Sequence, residues 1–166
     1  MPVAIAPALL SSNSFSHFAT TMVATAFPAR FVSDLISDIN RSTPNRRVIP
    51  ATGTVPNEAS VAALVAHLGD DAVSVLVANA GGAYDGSPIA QADATSWLQS
   101  FDVNVLGVVR TVQALLPKLV DSGAGTILVM GSTAGRIVYE NGGSYTAAKH
   151  GTAAVADVEG PCGIGA

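Results

Sequence analysis

Two short apolar runs constrain this chain more than anything else in it: AVSVLVA at 72–78 and TILVM at 126–130. Neither alternates apolar with polar residues, as a strand with one wet face does. Their length and valine content predict strands buried on both faces, the pattern of a parallel sheet. Parallel neighbours require a long crossover, and the intervening residues supply one. From about Ala94 to Leu119, a helical face collects Trp97, Phe101, Val105, Val108, Val109, Val112, Leu115, Leu116 and Leu119. Pro117 is expected to kink or fray its last turn. Upstream, FVSDLISDIN (31–40) has the spacing of a short amphipathic helix, and an apolar strand is expected around Val48–Ile49. Asn57 opens another helix with Val61, Leu64, Val65 and Leu68 on one face, and Gly69 ends it. A last helix is expected from near Ser144. Strand–helix alternation of this kind predicts an α/β fold built on a doubly wound parallel sheet.

Composition narrows the partners. With 49% hydrophobic and 12% charged residues the chain is too apolar to be disordered, and 166 residues suit one domain with a sizeable core. A net charge of −4 with scattered arginines gives no footprint for nucleic acid or an anionic membrane surface. No run reaches the roughly 18–20 consecutive apolar residues of a membrane span. A lone Cys162 excludes an internal disulfide and fits a reducing, cytoplasmic setting. Residues 1–33 contain no acid and, of basic side chains, only Arg30 and a histidine. A targeting peptide would be richer in arginine, so a disturbed or mis-read start is the preferred reading. The expected division is therefore a divergent segment at 1–33, a partial doubly wound α/β domain at 34–158 and an irregular tail at 159–166.

In doubly wound sheets, ligands bind outside the carboxyl ends of the strands. Asn79 and Ser132 stand at the two ends predicted here. Tyr145 and Lys149, four residues apart, fall on one helix face with about 5–6 Å between their Cβ atoms. A lysine ammonium near a phenol favours the phenolate, which makes a tyrosine usable as acid or base. Ser132 could donate a hydrogen bond to a substrate carbonyl. Together the three suit proton transfer coupled to hydride transfer at a C=O or CH–OH centre. Taken alone, a Tyr-x-x-x-Lys pair is most often an ordinary exposed helix pair, and Ser132 an ordinary turn residue. The joint pattern is far more specific: the chain has two lysines, and one of them lies here.

The segments VLVANAGG (75–82), FDVNVLG (101–107) and GSTAGRIVYENGGSYTAAKHG (131–151) resemble the short-chain dehydrogenase/reductase family. The resemblance covers roughly residues 55–151. It implies a Rossmann-like fold, NAD or NADP as cofactor, and interconversion of a carbonyl and an alcohol on a small-molecule substrate. By position, Tyr145 resembles the general acid/base and Ser132 the residue that polarises the substrate oxygen. Lys149 resembles the lysine that favours the phenolate and binds the nicotinamide ribose. Asn104 resembles the asparagine that holds a water linking that lysine to solvent. Asn79, Ala80 and Gly81 resemble the motif that steadies the central strand and lines the cofactor's adenosine half. Tyr139 and Asn141 are equally readable as substrate contacts or plain loop residues. The long helix, as in the family, is a candidate face for a homo-oligomer.

Three departures accompany the resemblance. The family's T-G-x-x-x-G-x-G turn brings the backbone up to the pyrophosphate at a helix N-terminus, yet no glycine precedes Gly53 here. In TVPNEASV (54–61), Thr54 stands where an aspartate commonly contacts the adenine, and Pro56 replaces a threonine. After Lys149 the family continues for about a hundred residues more, while this chain meets PCGIGA, a sequence that cannot extend a helix. The expected reading is an incomplete Rossmann-like sheet in a truncated or disturbed version of such an enzyme. Its alternative is an inactive fragment or non-enzymatic relic that keeps the fold's centre.

Overall fold

The valine-rich runs form strands in a five-stranded sheet. In the computed structural model, the described residues are 55–159, three strands ahead of them, and Ser37 and Arg41. The strands are β1 (Val3–Pro7), β2 (Thr20–Ala24), β3 (Ala51–Gly53), β4 (Val75–Ala78) and β5 (Thr126–Val129), in the order β3-β1-β2-β4-β5. β2 pairs parallel with β4 and β4 with β5, the latter in the register Val75↔Thr126 to Ala78↔Val129. These parallel pairs and their crossover helices make the chain α/β and Rossmann-like. One strand departs from an all-parallel sheet: β1 runs antiparallel to both β2 and β3. Antiparallel pairing needs no helical crossover between consecutive strands. β1 and β2 lie inside the segment from which the sequence suggested no element. Of the helix expected over 31–40, Ser37 is helical. The remainder of that helix, the strand at Val48–Ile49 and the tail at 160–166 lie outside the described residues.

The helices follow the sequence closely. α1 (Glu58–His67) starts where the Asn57 side chain accepts the Ser60 N–H at 3.0 Å, and Gly69 leaves it in the left-handed region at φ 55°. The long helix begins as α2 (Ala94–Phe101), with Asp93 accepting the N–H groups of Thr95 and Ser96 at its start. It ends as α3 (Gly107–Asp121), running on through Pro117. Between them Asp102–Leu106 forms a π turn in which the Gly107 N–H reaches back to the Asp102 carbonyl. The extra residue lets Val103, Asn104 and Val105, three in a row, all be buried, which a regular helix of 3.6 residues per turn rarely permits. Half of this helix's apolar length is buried inside the molecule.

One core unites β4 and α3. Leu76 and Ala78 pack with Val73, Val108, Val112, Leu115 and Leu119, and Ile127, Val129 and Val155 close over them. A second cluster joins Val55, Leu64, Ala80 and Val103 under the carboxyl end of β4. The expectation that both apolar runs are buried on both faces needs correction for β5. This strand ends the sheet, and its outer face leaves Leu128 51% and Met130 47% exposed. α3 covers one face of β5, and among the described residues nothing covers the other.

Gly107 marks the tightest join between the long helix and the rest. A Cβ there would sit 2.5 Å from Cγ2 of buried Val55. Gly107→Ala is therefore expected to destabilise the protein by about 1–3 kcal/mol, read from urea unfolding. Val55→Ala in the same chain should recover part of that loss; an additive double mutant would contradict the clash.

Candidate active site

The parallel register of β4 and β5 brings their carboxyl ends side by side, and the Met130 N–H extends the ladder to the Ala78 carbonyl at 2.9 Å. The predicted site residues gather around this edge. Past β4, Asn79 is half-buried, Ala80 is packed into the second core cluster, and Gly81 and Gly82 turn the chain outward. Past β5 comes Gly131, where a Cβ would meet nothing within 4 Å among the described residues, so this end of the strand is left open by them.

Ser132 follows. Its Oγ accepts the Ala134 N–H at 3.2 Å and caps a short 3-10 turn at Thr133–Gly135, leaving its O–H as a donor. That turn presses on the next helix so closely that a Cβ on Gly135 would lie 2.6 Å from the Lys149 carbonyl oxygen.

The helix in question, α4 (Gly143–Glu159), carries Tyr145 and Lys149. Tyr145 is half-buried, whereas Lys149 is only 5% exposed. The lysine Nζ donates to the Met130 carbonyl at 2.8 Å and lies 6.0 Å from the centroid of the Tyr145 ring. The structure thus brings the pair together on one face and ties the ammonium to the end of β5. Burial pushes the Lys149 pKa below the ordinary lysine value, since desolvation penalises its charged form.

Asn104 sits behind the lysine, fully buried in the π turn. Its Nδ2 donates to the Gly82 carbonyl at 2.8 Å and the Ser100 carbonyl at 2.7 Å, while its Oδ1 accepts the Gly82 N–H at 3.2 Å. A Cβ on Gly81 would stand 2.6 Å from Asn104 Oδ1 and 3.5 Å from Lys149 Nζ. Only glycine lets the turn after β4 pass between these two side chains. The two loop candidates are placed differently. Tyr139 is 55% exposed, with its ring edge where a Cβ on Gly142 would lie, 2.8 Å away. Asn141 is exposed with φ 59°, a left-handed turn position that asparagine tolerates.

Several residues that build the site carried little signal in the sequence. Buried Ser100 donates to Ser144 Oγ at 3.0 Å, and Ser144 donates to the Asp85 carbonyl at 3.0 Å, which locks α2 and the 85–93 loop to the first turn of α4. The Asp85 carboxylate accepts the N–H groups of Ser87 at 2.9 Å and Asp93 at 3.1 Å. Those bonds, that of Ser87 first, hold its pKa below the usual carboxylate value. Small hydroxyl residues on an otherwise apolar helix face were the one available hint.

A dinucleotide would fit this edge in part. The space beyond Gly131, the Lys149 ammonium and the half-buried Tyr145 suit a nicotinamide ribose beside the ends of β4 and β5. A cradle for the pyrophosphate is not found among the described residues, and the sequence after β2 reads TAFPAR, without glycine.

Comparison with known proteins agrees with the geometry. A family model described as short chain dehydrogenase matches residues 16–158. An uncharacterized oxidoreductase of Mycobacterium tuberculosis is 49% identical over 67 residues, covering 40% of this chain and 27% of the relative. Sulfoacetaldehyde reductase 2 of Chromohalobacter salexigens is 35% identical over 106 residues, covering 62% and 42%. Among solved structures, a putative short chain dehydrogenase from Escherichia coli complexed with NADPH superposes with a TM-score of 0.68 at 26% identity, covering 79% of this chain and 56% of that one. Serine dehydrogenase from Escherichia coli gives 0.57 at 32% identity, covering 64% and 49%. The chain spans less than half the length of these curated relatives. With the family model matched over most of its residues, and the strand-end geometry in agreement, the chain belongs to the short-chain dehydrogenase family.

Proposed function

We propose that this chain carries the catalytic half of an NAD(P)-dependent oxidoreductase that interconverts a carbonyl and an alcohol on a small molecule. The observation that carries the reading is the cluster at one sheet edge of Ser132, Tyr145 and a buried Lys149 fixed to the Met130 carbonyl at 2.8 Å. Bound NAD(P)H would supply the hydride. The Ser132 O–H donates to the substrate oxygen and orients it. Tyr145 gives its phenolic proton to that oxygen in reduction and takes it back in oxidation. Lys149 keeps a positive charge one helical turn away, so the phenolate left behind is stabilised. Asn104 holds the Gly81–Gly82 turn against the lysine, and Asn79, Ala80 and Gly81 would line the adenosine half of a bound cofactor.

The absence of any glycine before Gly53 favours a second reading, a non-catalytic relic that keeps the fold's centre. Fluorescence titration of the full chain with NADPH and NADH separates the two. Saturable binding in the micromolar range supports the enzyme, and no binding up to millimolar supports the relic. In a chain that turns over, Tyr145→Phe should abolish activity and leave the unfolding midpoint nearly unchanged. Retained turnover would remove the tyrosine from the acid/base role.

The long helix supports a self-association reading as well. Ile89, Trp97, Leu98 and Phe101 line an open apolar cleft of about 560 Å³ against Ala147 of α4, and Leu98 is 71% exposed. A second copy laid over this cleft would cover it. Light scattering on the full chain should then give a dimer mass that falls to the monomer in Leu98→Asp. A monomer for the unsubstituted chain at tens of micromolar would sink the idea.

A further inference from the structure

Two separate anchors hold α4 where it carries Tyr145 and Lys149. Lys149 is tied to β5 by its Nζ, which donates to the Met130 carbonyl at 2.8 Å. Tyr145 is half-buried one turn earlier, and its neighbour Ser144, 2% exposed, is the second anchor. Ser144 Oγ lies 3.0 Å from Ser100 Oγ on α2 and 3.0 Å from the Asp85 carbonyl oxygen in the loop after β4. The direction of this short chain follows from what each group can do: a carbonyl only accepts, and a hydroxyl has one proton to give. The Asp85 carbonyl therefore takes the Ser144 proton, and Ser144 accepts the proton of fully buried Ser100. The Ser100 carbonyl in turn accepts from Asn104 Nδ2 at 2.7 Å, so one residue of α2 touches both the asparagine behind the lysine and the residue before the tyrosine. Alongside, a Cβ on Gly143 would lie 2.8 Å from Trp97 Cζ2. That packing limits how near α4 comes to α2, whereas the hydrogen bonds, being directional, set its place along the axis.

We propose that Ser144 is a positioning residue, whose hydroxyl sets the start of α4 against α2 and the 85–93 loop and so holds the Tyr145 ring at its 6.0 Å from the Lys149 ammonium. The inference rests on the reading that Tyr145 is the acid/base of the reaction. An error of about 1 Å in the placement of such a group can cost on the order of 100-fold in rate. Without the hydroxyl, Lys149 keeps its bond to Met130, and Gly135 still presses on its backbone carbonyl. The first turn of α4 loses its bonds to both neighbouring segments, and the phenol shifts relative to an ammonium that stays in place.

A role confined to stability would lower the melting temperature and leave the geometry of the pair as it is. The proton NOE between the Tyr145 ring and the Lys149 side-chain methylenes separates the two roles, in a chain with three tyrosines and two lysines to assign. In the full chain, Ser144→Ala should lose this NOE while keeping the helical circular dichroism. Ser144→Thr, which retains the hydroxyl, should keep the NOE. An undiminished NOE in a folded Ala variant overturns the proposal, and so does its loss in the Ala and Thr variants alike. Ser144→Ala strands the Ser100 proton in the interior as a buried donor without its acceptor. If that variant does not fold, the double variant Ser100→Ala/Ser144→Ala removes donor and acceptor together and is read in the same way: loss of the NOE supports the proposal, and its retention overturns it. Neither turnover nor cofactor binding enters the measurement, so failure of the proposed function leaves its outcome intact.

Discussion

The fully buried amide of Asn104 is the interaction on which the rest of this site depends. An amide placed in an apolar interior without partners costs about 1–3 kcal/mol, so its three hydrogen bonds are a condition of its being there. Two of them go to one residue, Gly82, as donor and acceptor at once. A side chain that grips both the N–H and the C=O of a single residue fixes that residue's plane as well as its distance. Through Gly82 the turn after β4 is set, and through Gly81 the space beside Lys149 is limited to what a glycine can fill.

The π turn makes this possible. In a regular α-helix, Asn104 and its apolar neighbours could not all face inward. With one residue added to the turn, Val103 enters the cluster beneath Ala80, Asn104 meets Gly82, and Val105 is buried as well. The helix on either side keeps its own apolar stripe, so the core around β4 is undisturbed. A local departure from helical geometry is here the device that lets one long crossover both cover the sheet and build the site. Such turns are found at functional positions more often than their rarity suggests.

Much of this was readable from the residues. The two apolar runs gave β4 and β5, the helical spacing gave α1 and the long helix to within a few residues, and the strand-end logic located Asn79 and Ser132 at one edge. What escaped was set by contacts between distant segments. No periodicity announces a π turn, because the amphipathic stripe looks continuous on either side of it. Ser100, Ser144 and Thr152 are small polar residues that propensity alone sends to surfaces, yet tertiary partners satisfy them in the interior. β1 and β2 escaped because AIAP and TTMV are short, and the direction of β1 depends on pairing that no local pattern encodes. The exposure of β5 follows from its place at the end of the sheet, which its own apolar sequence does not reveal.

Hydrogen exchange at the Gly82 amide tests the central claim most directly. Gly82 lies in a turn outside any strand, where an amide ordinarily exchanges through small local openings. With its N–H held by buried Asn104, it is predicted to exchange as slowly as the amides of β4, only when the whole domain opens, and to become fast in Asn104→Ala. Exchange at the rate of an exposed loop in the unsubstituted protein would contradict the account.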